Sequence, residues 1–77
     1  MPLSLLGLLQ QEDRAVKDVD ATKEVIDIYL REWSASKNLK DAALIEELIA
    51  SEYETLTERE EKLSESRKAI RQYLSQL

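Results

Sequence analysis

The chain has 77 residues and carries sixteen acidic against eleven basic side chains, a formal charge of -5. Its one Gly and one Pro leave too few turn-formers for a sheet protein of this size. The absence of Cys and His removes disulfides, thiolate nucleophiles, the usual zinc sites and the general base of a Ser–His–Asp triad.

The remaining composition reads as all-α. In chain order, residues 3 to 11 form the most apolar stretch. Pro2 suits a first helical turn, and Leu3, Leu5, Leu6, Leu8 and Leu9 supply the apolar groups. We expect a short leucine-rich helix here, docked rather than free. Gly7 weakens it by about 1 kcal/mol relative to Ala. The stretch lacks a positively charged start, so it does not resemble a signal peptide. It turns polar at Gln10, well short of the roughly 20 apolar residues that span a bilayer. The cytoplasm is the expected location.

A second helix is expected over 13–35. Val16, Val19, Ile26, Leu30 and Trp33 recur at spacings of three, seven, four and three, an amphipathic pattern. Asp13–Lys17 and Asp27–Arg31 are favourable i,i+4 pairs on the outer side. Ser34 to Asn38 interrupts the pattern with the chemistry of a helix end and a new cap. Asn38 and Ser36 are the cap candidates.

A long third helix follows over 39–75. Ala42, Ile49, Leu56, Leu63, Ile70 and Leu77 recur every seven residues. The second line of the repeat, read as Ile45, Tyr53, Glu60, Arg67 and Leu74, is only partly apolar, so a coiled-coil stripe would be thin. Thr55 and Thr57 each precede a Glu by three residues, a capping-box spacing that offers a kink at 55–57. Persistence of the seven-residue interval across the site favours an unbroken helix.

The expected architecture is therefore one helical domain over 1–77, a hairpin with a short apolar helix before it. A compact three-helix bundle is the alternative. At 1.5 Å per residue the two long helices measure about 34 and 55 Å, leaving about 20 Å of the second uncovered. The overhang would carry Leu63, Ile70, Tyr73, Leu74 and Leu77. Wet apolar groups in so small a core favour self-association, so a homodimer is expected.

No catalytic, metal-binding or cofactor-binding residue is indicated. No Gly-rich loop precedes a Lys, and neither an EF-hand loop nor the Glu-x-x-His step of a bundle metal site occurs. The reading is of a non-catalytic interaction module, acting as an adaptor, an inhibitor or an assembly factor. A self-assembling structural subunit is one alternative. A small regulator touching DNA through Arg67, Lys68 and Arg71 is another, disfavoured by the acidic chain. A membrane-surface role is disfavoured because acidic residues follow the leucines.

Residues 41 to 65 hold nine acids against Arg59 and Lys62, whereas the chain beyond Ser66 holds three bases and no acid. The candidate partner-binding residues are Leu5, Leu8, Leu9, Trp33, Tyr53, Glu54, Glu58, Glu61, Leu63, Ile70 and Leu74. Glu54, Glu58 and Glu61 are expected to flank the 49–56–63 apolar line. That geometry suits a partner with an apolar surface and a basic rim.

Overall fold

The computed structural model describes residues 4–77, so Pro2 and Leu3 of the expected first helix lie outside the described residues. Two α-helices fold back on one another: α1 over Leu5–Ala35 and α2 over Leu39–Ser75. The hairpin measures 58 × 18 × 14 Å. The Ser4 hydroxyl caps α1 by accepting from the Gly7 N–H at 3.2 Å. A three-residue bend separates the helices. The Ser36 hydroxyl donates to the Asn38 carbonyl at 3.1 Å, and the Asn38 side chain caps α2 by accepting from the Lys40 N–H at 2.8 Å.

The expected break between residues 11 and 13 is absent. Asp13 lies within α1 and pairs with Lys17 at 3.0 Å on the helix surface. Continuity follows from the packing. Leu5, Leu8, Glu12, Ala15, Val19, Thr22, Ile26 and Tyr29 are buried or half-buried at alternating spacings of three and four, and Trp33 extends the line. This face runs through the polar stretch, and Gly7 is tolerated within it. At 1.5 Å per residue α1 is about 46 Å long against about 55 Å for α2. The expected 20 Å overhang is therefore largely covered by the leucine-rich turns of α1.

The facing line of α2 is Ala42, Ile45, Ile49, Glu52, Leu56, Arg59, Leu63, Ser66, Ile70 and Tyr73, each buried or half-buried. Its second position differs from the one expected. The step from Ile45 to Tyr53 is eight residues, so Tyr53, Glu60, Arg67 and Leu74 lie one residue to the side of the seam. The true occupants are Glu52, Arg59, Ser66 and Tyr73. No kink occurs at 55–57. The Thr55 and Thr57 hydroxyls donate back to the carbonyls of Ser51 and Tyr53, at 3.3 and 3.0 Å, instead of capping a new helix.

Val19, Ile26 and Leu56 form the core, with Leu63 packed against it. Leu8 is buried further toward the open end. Thr22, only 1% exposed, sits inside the seam. Its hydroxyl donates to the Asp18 carbonyl at 2.8 Å and accepts from the Arg59 guanidinium. The same guanidinium reaches the Asp18 carbonyl at 3.3 Å. Thus an arginine at a core position of α2 is answered by a threonine and a backbone oxygen of α1, as burial of a polar group requires. Far-ultraviolet circular dichroism is expected to show more than about two-thirds helix, against about one-third for an average soluble domain. A spectrum dominated by coil or strand would contradict the fold.

Candidate functional site

The seam consumes so few apolar groups that many others stay outside it. Near the bend, Ile28, Leu30, Leu39, Leu44, Leu48 and Tyr53 are exposed, Leu39 to 89% and Leu44 to 61%. Trp33 lies among them, 42% exposed. Its indole Nε1 donates to the Glu46 carboxylate at 3.0 Å, which fixes the ring across the two helices. Leu30 and Trp33 arrive from the last turns of α1, while Leu44, Leu48 and Tyr53 arrive from the first turns of α2. Between residues 41 and 54, α2 carries Asp41, Glu46, Glu47, Glu52 and Glu54 and no base. Leu30, Trp33 and Tyr53 stand on the Glu46 side of the seam and Leu44 and Leu48 on the Asp41 side, so the bend half carries two apolar patches, each bordered by acids.

The open end has the opposite rim. Leu6, Leu9, Leu74 and Leu77 are exposed there. They stand beside Arg67, Lys68 and Arg71. Arg67 also spans the helices, 3.5 Å from the Glu12 carboxylate.

Between the ends, a 370 Å³ groove opens along one side of the seam, lined by Gln11, Arg14, Asp18, Arg59, Lys62 and Ser66 among others. The Ser66 hydroxyl is buried and has no hydrogen-bond partner among the described residues. The groove mixes charges of both signs and holds no group of reactive residues. No cluster of three or more carboxylates among the described residues is placed to hold a metal.

The expected partner-binding residues divide by location. Leu8 is buried and Leu63 packs on the core, so both serve the intramolecular seam. Leu5 and Ile70 are half-buried in the same seam. Leu9, Trp33, Tyr53 and Leu74 are exposed apolar groups. Glu54, Glu58 and Glu61 are exposed but do not flank the apolar line as expected. Glu54 and Glu58 each stand two residues from Leu56, and Glu61 stands two from Leu63. Two residues are about 200° of helix, so all three point away from the seam. The 49–56–63 line itself is occupied by α1.

Sequence reading passed over Ile28, Leu44 and Leu48 as surface apolar groups, and Glu46 as the partner of Trp33. A signal existed for Glu46, because a hairpin closed at 36–38 brings the turns around residues 33 and 46 together. Nothing local marks the other three.

Comparison with protein-family models, curated proteins and solved structures finds no match. No helix among the described residues is long and apolar enough to cross a membrane.

Proposed function

We propose that this chain is a non-catalytic helical hairpin that docks on another protein surface through its bend half. The observation that carries the reading is the group of exposed apolar side chains on one side of the seam there, Leu30, Trp33 and Tyr53, beside the acidic Glu46 that holds the indole. Large apolar side chains grouped on one side of a narrow hairpin mark a surface that a partner covers. Trp is also enriched among the residues that dominate binding energies. The fitting partner has exposed apolar groups ringed by Lys or Arg. The margin charges steer encounter and the apolar groups hold the complex.

The test is capture on the immobilised chain from an extract of the cells that make it. A protein retained by the native chain should be lost from a variant carrying Leu30→Glu and Tyr53→Glu. Its rate of association should fall as salt rises, because screening removes the steering. Equal retention by both chains would overturn the assignment of the surface. Neither substituted residue lies in the core, so helix content should be unchanged, which circular dichroism checks.

A further inference from the structure

The chain itself carries a surface of the chemistry just described, at its open end. Resting on that reading, we infer that the partner of the bend half is a second copy of this chain. The second copy lies antiparallel across one face of the hairpin, so that each open end covers the Leu30–Trp33–Tyr53 side of the other copy's bend half.

Two seven-residue lines define the face. On α1 it runs through Leu9, Val16, Lys23 and Leu30; on α2 it runs through Glu46, Tyr53, Glu60, Arg67 and Leu74. Both lie on the same side of the seam. Trp33 and Glu12, seam residues of α1, reach across to Glu46 and Arg67 of the α2 line. The groove lined by Gln11, Asp18 and Lys62 occupies the other side. Leu9 is two residues from Gln11, and Val16 two from Asp18, which turns their line away from the groove. The face therefore has apolar ends, at Leu9 with Leu74 and at Leu30 with Trp33 and Tyr53. Its middle is charged.

Charge selects the direction of pairing. The tip beyond Ser66 carries Arg67, Lys68 and Arg71 with no acid, whereas the bend end of the face carries Glu46, bordered by Glu47 and Glu54, with no base between residues 41 and 54. A parallel arrangement stacks the cations of one copy on those of the other and the acids on the acids. An antiparallel one sets each cationic tip over an acidic margin. The spacing agrees: a two-fold axis crossing α1 midway between Val16 and Lys23 brings Leu9 of one copy over Leu30 of the other. It also lays the aliphatic stem of Lys23 over Val16. Such an interface is self-complementary and closes at two copies, so every contact is made twice.

The native chain has no cysteine, so an introduced thiol is the sole thiol of its copy. Chains bearing Leu9→Cys and chains bearing Leu30→Cys, mixed and oxidised, should yield chiefly the mixed disulfide. Sedimentation of the native chain should show a dimer. Arg71→Glu should raise its dissociation constant about tenfold, because two tip contacts are lost per dimer. The helix signal of that variant should stay unchanged. Leu30→Glu, outside the core, should give a folded monomer. A predominance of disulfides between two Leu9→Cys chains would overturn the antiparallel arrangement. A native chain that stays monomeric up to about 1 mM would overturn self-recognition altogether. That second result leaves the docking reading to its own capture experiment, where the retained protein would then differ from this chain.

Discussion

Replacing Leu56 with Ala is expected to remove about 2–4 kcal/mol of folding free energy, the usual cost of emptying a buried leucine site. Leu56 is the one buried residue of α2, and it meets Val19 and Ile26 of α1. A lone core in a chain of this length supplies about 3–5 kcal/mol, so the variant should keep only about 1 kcal/mol as a monomer and lose most of its resistance to urea. Leu44→Ala is the matched control: the same chemical change at a position 61% exposed. It should move stability by no more than about 0.5 kcal/mol. Urea denaturation followed by circular dichroism compares the two. Equal costs would show that the seam is not the centre of stability.

The second large effect is expected to be a gain. Thr22→Val together with Arg59→Leu replaces a buried hydroxyl and a half-buried guanidinium by apolar groups of comparable size. Polar groups taken from water recover only part of their hydration in mutual contacts. Their joint replacement is expected to stabilise the hairpin by about 1–3 kcal/mol. Thr22→Val alone should instead cost about 1 kcal/mol, because Arg59 then keeps only the Asp18 carbonyl at 3.3 Å. The two substitutions are thus non-additive, which a double-mutant cycle in urea reads directly. A double variant no more stable than Thr22→Val alone would mean that the Arg59–Thr22 contact contributes net stability.

That contact also explains which parts of the fold were legible in the amino-acid order. The features that could be read depend on near neighbours. The ion pairs Asp13–Lys17 and Asp27–Arg31, at 3.0 and 2.7 Å, follow from i,i+4 geometry. Asn38 is a good cap because its short side chain reaches the next backbone N–H groups. The bend and the long second helix follow from the interruption of one period and the persistence of another. What escaped was the register of the seam. Glu12, Thr22, Glu52, Arg59 and Ser66 stand where a periodicity search looks for apolar groups. Tyr53 and Leu74, one residue off the line, carry the apolar groups instead. Glu12 also hid the continuity of α1, since it made the stretch before Asp13 look like a boundary. A polar seam residue is recognisable only beside the residue that answers it. Arg59 and Thr22 are 37 apart in the chain.

The candidate site was legible in kind more than in place. Of the residues expected to meet a partner, Leu9, Trp33, Tyr53 and Leu74 are exposed at the surface. Leu8, Leu63 and Ile70 carry the same chemistry but are drawn into the seam by α1, which covers more of α2 than the shorter helix expected from the sequence would have done. Glu54, Glu58 and Glu61 stand two residues from the 49–56–63 line, a step of about 200° that turns them to the back of α2 rather than along the edge of the line.

The bend has a consequence for the order of folding events. Ser36 and Asn38 are both in extended backbone conformations, and no described residue has a positive φ. No strained turn must form before the helices meet. Contacts nearest the bend close the smallest loops: Trp33 and Glu46 are 13 residues apart, whereas Asp18 and Arg59 are 41 apart. Loop-closure entropy rises with that separation, and rates fall as contacts become less local. The hairpin should therefore close as a zipper, starting at the Trp33–Glu46 contact and ending where Glu12 meets Arg67. The open end is the last section to assemble and the first to fray. The acidic bend half is complete while the cationic leucine tip is still forming, so the two halves of the inferred self-recognition mature at different times.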